Sequence, residues 1–151
     1  MSLQTSDNHL EHNSRPFENV HVLVVEDNIQ NIVLIARLLT AMGITYYEWR
    51  GSGWQITKFA ENMPQVDLIL MDLHLPHADG FEALAKIKAT PKLCQTPVVA
   101  VTADATQHTL NKAQEAGFDS FLGKPIDPDR FADHIKAILV GEAIWDLGLN
   151  I

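Results

Sequence analysis

Apolar residues along this chain alternate between short continuous runs and longer stretches in which they recur at helical spacing. The short runs predict strands, because they are apolar and too brief for helices. These five runs are 20–25, 44–49, 67–71, 98–101 and 119–123. The periodic stretches predict five amphipathic helices. They cover about 29–42, 54–63, 81–88, 106–116 and 128–139.

Start and stop signals support these helices. Gly43 and Gly117 end two of them, Pro64 closes another, and Asp127-Pro128 opens the last with a capping side chain and a proline. Strands that alternate with helices are joined by right-handed crossovers. The pattern therefore predicts an α/β fold with a doubly wound, five-stranded parallel sheet and five helices.

The chain divides into three parts. Residues 1–19 are polar without periodicity and predict a flexible tail. Residues 20–141 carry the alternating pattern and predict one domain, with a C-terminal extension at 142–151. The apolar residues of that extension predict a helix packed on the domain, with an interaction surface as the alternative.

The amino-acid composition excludes some classes of binding partner. The net charge of −8 argues against nucleic-acid binding, which needs a basic face. Cys94 is the sole cysteine, which excludes an internal disulfide and fits a reducing compartment. The chain has neither an apolar stretch near the ~20 residues of a membrane span nor a signal-peptide pattern at its start. We therefore predict a cytoplasmic domain without membrane or nucleic-acid partners.

Polar residues whose side chains can bind a metal ion or take part in a reaction follow four of the predicted strands. Glu26-Asp27 follow the first strand, Asp72 the third, Thr102 the fourth and Lys124 the fifth. Parallel strands end at one edge of a sheet, so three carboxylates, a hydroxyl and an ammonium should converge there. Such a set suits the binding of a divalent cation and the transfer of a phosphoryl group onto a carboxylate.

The segments around these residues resemble the receiver domain of two-component response regulators. The matching segments are 24–28 (VVEDN), 70–72 (LMD), 100–103 (AVTA) and 123–125 (GKP). The similarity covers roughly 20–140, and four motifs in order are far more specific than any one of them. The resemblance implies a flavodoxin-like sheet of strand order 2-1-3-4-5.

The resemblance also implies a role for each acidic residue. Asp72 is the expected phosphoacceptor, and Asp27, Asp72 and the backbone carbonyl of His74 are the expected ligands of Mg²⁺. Glu26 is expected to act on the cation through water. Oxygen ligands suit Mg²⁺, and the cation offsets the repulsion between an attacking carboxylate and an anionic phosphoryl group.

The remaining roles concern the phosphoryl group and the response to it. Lys124 and Thr102 are expected to contact phosphoryl oxygens, and Phe121 occupies the switch-aromatic position that is often held by Tyr. Core packing is the alternative for Phe121. His74 and Asp104 lie two positions beyond the acceptor and the threonine, where side chains tune dephosphorylation.

We therefore expect a phosphoacceptor response regulator in a two-component phosphorelay, phosphorylated by a histidine kinase or a histidine phosphotransfer protein. It would switch conformation, act on a downstream protein, and turn over no separate substrate. Homodimer formation is left open. A receiver fragment of a hybrid kinase or of a longer regulator is the alternative within signalling.

Two further alternatives come from other classes of protein, and a third concerns the metal. A phosphatase of the haloacid dehalogenase type would need a second Asp where His74 stands. A phosphate-independent pseudo-receiver usually lacks a key residue, and all of them are present. Zinc binding by His74 and His77 is disfavoured, because hard-oxygen chemistry already accounts for the site.

Overall fold

A computed structural model describes residues 17–75 and 78–148, which form five helices and eight strands. The helices are α1 (Ile29–Ala41), α2 (Ile56–Glu61), α3 (Gly80–Lys88), α4 (Gln107–Ala116) and α5 (Pro128–Leu139). The strands are β1 (His21–Val25), β2 (Tyr46–Arg50), β3 (Leu68–Met71), β4 (His74–Leu75), β5 (Ala78–Asp79), β6 (Val98–Thr102), β7 (Ser120–Gly123) and β8 (Trp145–Asp146).

Six of these strands form one parallel sheet in the order β2-β1-β3-β6-β7-β8. The other two, β4 and β5, form a small antiparallel pair just after β3. When that pair is left out, the first five positions of the sheet reproduce the predicted order 2-1-3-4-5. The doubly wound α/β fold is therefore confirmed, and β8 is an addition that the sequence did not predict.

Both faces of the sheet are buried. In β1, Leu23 and Val25 join a core formed with α2, α3 and α4, whereas Val22 and Val24 join a second core formed with α1 and α5. Successive side chains of a strand point to opposite faces, so a strand covered on both sides must be apolar at every position. This is why the central strands read as continuous apolar runs.

Four helices begin with a side-chain cap, which lies in a loop after a strand or, for Asp79, at the end of β5. Asn28, Asp79, Thr106 and Asp127 accept hydrogen bonds from backbone N–H groups in the first turns of α1, α3, α4 and α5. Pro128 is the first residue of α5, as predicted. These caps fix the loops at the sheet edge where the predicted site residues lie.

The second strand and the second helix differ most from their predicted bounds. The structure starts β2 later than the predicted 44–49 and shortens the predicted helix at 54–63 from both ends. Gln55 adopts a φ of 54°, in the left-handed region, so a regular helix cannot extend back through it. At the other end, Lys92 donates to the main-chain carbonyl of Glu61, the last helical residue, and to that of Met63 just beyond it.

The helical prediction for the C-terminal extension was wrong, because its described part forms β8. Gly141 adopts a φ of 97° and ends α5 in a left-handed turn. The chain then runs along β7, where the Phe121 N–H donates to the Ile144 carbonyl at 2.8 Å. The Ile144 N–H donates to Ser120 Oγ at 2.9 Å, and Trp145 packs against the core. Residues 149–151 lie outside the described part.

At the other end of the chain, Phe17 packs against the α1 and α5 core, three positions before the predicted domain start at 20. The rest of the predicted tail, 1–16, lies outside the described residues. Among the helices that the structure describes, none combines the length and the apolar character required to cross a bilayer.

Candidate functional site

The polar residues that follow the strands converge at one edge of the sheet. Glu26 and Asp27 follow β1, Asp72 follows β3, Thr102 ends β6 and Lys124 follows β7. These strands are parallel neighbours in the sheet, so their carboxyl ends lie side by side. The structure therefore brings together the five residues that the sequence singled out.

Three carboxylates form the centre of the site. Glu26, Asp27 and Asp72 each offer an oxygen within 4.8 Å of the others, the only such group of potential metal ligands in the described residues. Glu26 and Asp72 are buried, with 2% and 7% exposure, whereas Asp27 faces solvent. The cluster is thus a pocket of oxygen donors with one open side, as a hydrated divalent cation requires.

Lys124 holds the two buried carboxylates together. Its Nζ lies 2.5 Å from Glu26 Oε1 and 3.0 Å from Asp72 Oδ2. The lysine side chain is itself only 11% exposed, so water screens these ion pairs weakly. One ammonium therefore serves two carboxylates, and the cluster keeps an excess of negative charge that favours a cation.

Burial and the charge imbalance shift the pKa values of this pair. Burial raises the pKa of the Glu26 carboxyl above its usual value, the nearby Asp72 carboxylate adds to the rise, and the Lys124 ion pair opposes it. Burial alone would lower the pKa of Lys124, but the hydrogen bonds to Glu26 and Asp72 raise it on balance. Lys124 therefore stays charged at neutral pH.

Thr102 and Asp104 form the next side of the site. Thr102 is fully buried, and its Oγ1 accepts the Asp104 N–H at 3.1 Å. Asp104 Oδ2 accepts the Thr109 hydroxyl at 2.9 Å, which anchors the Asp104 side chain to the start of α4. The Thr102 hydroxyl also carries a hydrogen of its own, so it is a potential donor at this side of the site.

His74 lies at the mouth of the site. Its backbone N–H donates to Asp72 Oδ1 at 3.0 Å, and its Nε2 lies 3.8 Å from Asp104 Oδ2. The two residues predicted to tune dephosphorylation thus face each other across the opening. His77, which the zinc alternative requires, lies outside the described residues, and His74 is not part of the carboxylate cluster.

Phe121 lies in the core, with no exposed surface. It is in register with Trp145 of β8, so the C-terminal strand flanks it on the sheet edge. The arrangement matches the core-packing alternative for this residue, and its role as a switch stays a prediction.

The sequence interpretation missed Trp49, the fourth residue of β2. Its indole Nε1 donates to the backbone carbonyl of Glu26 at 2.6 Å. No sequence signal pointed to this contact, because it joins the end of one strand to the loop after another.

Comparisons with known proteins agree with this geometry. The family model described as the response regulator receiver domain matches residues 22–136. The signal transduction histidine-protein kinase BarA of Escherichia coli K12 is 42% identical over 123 residues, covering 82% of this chain and 13% of BarA. The polar-differentiation response regulator DivK of Brucella anthropi is 35% identical over 118 residues, covering 78% of this chain and 94% of DivK.

One solved structure that is similar in fold contains a bound metal ion. It is the receiver domain of the sensor histidine kinase PA1611 from Pseudomonas aeruginosa PAO1, with a magnesium ion coordinated in its active-site cleft. The two chains share 32% identity and a TM-score of 0.67, over 80% of this chain and 93% of that domain. The chain thus spans a small part of BarA but nearly all of DivK and of the PA1611 domain.

Proposed function

Because the chain belongs to the response regulator receiver family of two-component signalling, we propose that Asp72 is its phosphoacceptor. The donor would be a phosphohistidine on a histidine kinase or a histidine phosphotransfer protein. One observation carries the assignment: the Asp72 carboxylate is nearly buried, lies beside two other carboxylates, and has Lys124 Nζ 3.0 Å from its Oδ2.

The carboxylate cluster fits Mg²⁺, because all of its donors are hard oxygen atoms. Asp27, Asp72 and the backbone carbonyl of His74 would bind the cation directly, and Glu26 would do so through water. When bound, Mg²⁺ would neutralise the charge that builds up between carboxylate and phosphoryl oxygens. The magnesium ion in the PA1611 receiver domain supports this choice of metal.

The contacts of Asp72 indicate which of its oxygens reacts. Oδ1 accepts the main-chain N–H of His74, whereas Oδ2 accepts the flexible Lys124 side chain, which can move away, so we assign Oδ2 as the nucleophile. Oδ2 forms a bond to phosphorus as the phosphorus–nitrogen bond of the phosphohistidine breaks. The released nitrogen keeps the bonding electrons, and the ring, protonated on its other nitrogen, leaves as neutral imidazole.

Lys124 must move for this step to occur, because its Nζ donates a hydrogen bond to Asp72 Oδ2, the attacking oxygen. It would exchange that contact for a phosphoryl oxygen while its ion pair with Glu26 keeps it nearby. Thr102 would donate its hydroxyl hydrogen to a second phosphoryl oxygen. Catalysis would consist of positioning and charge neutralisation, which is sufficient for a loose phosphoryl-transfer transition state.

His74→Ala should shorten the lifetime of the acyl phosphate by a few-fold. Hydrolysis requires a water in line with the bond to be broken, and the His74 ring, 3.8 Å from Asp104 at the mouth of the site, would obstruct that approach. The decay of wild-type and variant proteins, phosphorylated to the same extent, can be followed by Phos-tag electrophoresis or radiolabel. Slower decay in His74→Ala would mean that the ring orients the water instead of excluding it.

We further propose that the chain turns over no separate substrate. A phosphatase of the haloacid dehalogenase type needs an Asp two residues beyond its nucleophile, and His74 stands there. Beryllofluoride, a mimic of the acyl phosphate, should bind in the presence of Mg²⁺ and raise the melting temperature, whereas phosphomonoesters should remain intact. Failure to bind beryllofluoride would favour a pseudo-receiver, and hydrolysis of phosphomonoesters would favour the phosphatase.

We favour a cytoplasmic response regulator that acts on a downstream protein, with homodimer formation as an option. BarA and DivK represent two arrangements, a receiver within a kinase and a receiver alone. Pull-down with phosphorylated and unphosphorylated protein would identify partners that depend on the phosphoryl group.

A further inference from the structure

Trp49 joins the exposed end of β2 to the loop that carries two of the site carboxylates. Its indole Nε1 donates to the Glu26 carbonyl at 2.6 Å. In the sheet, Trp49 is in register with Val24, two positions before Glu26, so the ring reaches along β1 toward its end. Since the side chain is 44% exposed, burial alone does not account for this contact.

The hydrogen bond from Trp49 holds the peptide unit that links the two acidic residues, Glu26 and Asp27. The Glu26 carbonyl and the Asp27 N–H belong to that unit, and the N–H donates to Glu26 Oε2 at 3.0 Å. The other carboxylate oxygen, Oε1, accepts Lys124. A rotation of this peptide unit would therefore redirect the Asp27 side chain and disturb the ion pair between Glu26 and Lys124.

The chemistry of the Trp49 side chain, rather than its bulk, makes this contact. The Glu26 N–H is also held by β2, through the Arg50 carbonyl at 2.9 Å, but any residue at position 50 supplies that carbonyl. The bond to the Glu26 carbonyl needs a side-chain N–H at the end of a long, rigid ring. Phenylalanine has a comparable shape but no donor.

We propose that Trp49 is a positioning residue for the cation site. Its indole N–H fixes the peptide unit between Glu26 and Asp27, so that Asp27 faces the cation and Glu26 holds Lys124. Trp49 acts through the backbone and contacts neither the cation nor the phosphoryl group. The inference rests on the proposed Mg²⁺ site and extends it to a residue on a neighbouring strand.

The test compares Trp49→Phe with Trp54→Phe. Trp54 is 63% exposed and lies in the loop after β2, so its replacement removes an indole but leaves the bond to Glu26 intact. Calorimetric titration with Mg²⁺ should give a Kd about five-fold higher for Trp49→Phe, the effect of losing one hydrogen bond, and an unchanged Kd for Trp54→Phe. In metal-free protein, the Asp27 amide should exchange faster with solvent only in Trp49→Phe.

A packing role for Trp49 would have a different signature. Trp49→Phe would then lower the melting temperature of the metal-free protein and leave both the Kd and the Asp27 amide exchange unchanged, which would overturn the proposal. If wild type bound no Mg²⁺, the proposed cation site would fail, and the metal-free exchange measurement would still decide whether Trp49 holds the peptide unit. If Trp49→Phe does not fold, benzothienylalanine at position 49 keeps the ring shape without the N–H and carries the same expectations.

Discussion

Incubation with acetyl phosphate and Mg²⁺ should add a single phosphoryl group to the wild-type chain and none to Asp72→Asn. The amide keeps the size of the side chain but has no carboxylate oxygen that can attack phosphorus. Of the three clustered acids, Asp72 is the one that accepts hydrogen bonds from both Lys124 and the His74 backbone, which suits the reacting group. Intact-mass spectrometry after brief treatment measures the added group directly.

Asp133→Asn is the matched control for this experiment, because it removes an exposed carboxylate from α5, away from the site. It should label as wild type does. Equal labelling of Asp72→Asn and wild type would move the acceptor elsewhere and refute the assignment. Loss of labelling in both variants would point to a general effect of charge rather than to Asp72.

Asp27→Asn should raise the Kd for Mg²⁺ by about ten-fold or more, whereas Glu26→Gln should raise it far less. Asp27 faces the open side of the cluster, where it can bind the cation directly, whereas both Glu26 oxygens already accept hydrogen bonds from Lys124 and the Asp27 N–H. Loss of a direct, charged ligand costs more than loss of a contact through water. Calorimetric titration of each variant with Mg²⁺ shows which of the two binds the cation more weakly.

The same Asp133→Asn control should leave the Mg²⁺ affinity unchanged. The reverse order, with Glu26→Gln the weaker binder, would mean that Glu26 is the direct ligand and that Lys124 leaves it when the cation enters. Glu26→Gln keeps the size of the side chain, and its amide oxygen can still accept the hydrogen bond from Lys124. Lys124 also keeps its ion pair with Asp72 in this variant, so a fall in affinity would report on the cation site.

Much of this protein was predictable from the sequence, because the signals are local. The strand that precedes Asp72 is apolar at each position, since both of its faces are covered, and Asp72 follows it directly. Two consecutive residues, the cap Asp127 and the first helical residue Pro128, signal the start of α5. The rule that parallel strands end at one edge then placed the site residues together without any coordinates.

The tertiary structure decided which distant groups meet and through which atoms. The ion pair between Lys124 and Glu26 joins residues 98 positions apart, and the bond from Trp49 to Glu26 joins the ends of two strands. The C-terminal segment became a strand because Phe121 at the open edge of β7 offered a main-chain N–H to the Ile144 carbonyl. Local patterns carry no information about such contacts, because their free energy exists only when the folded chain brings both partners within hydrogen-bonding distance.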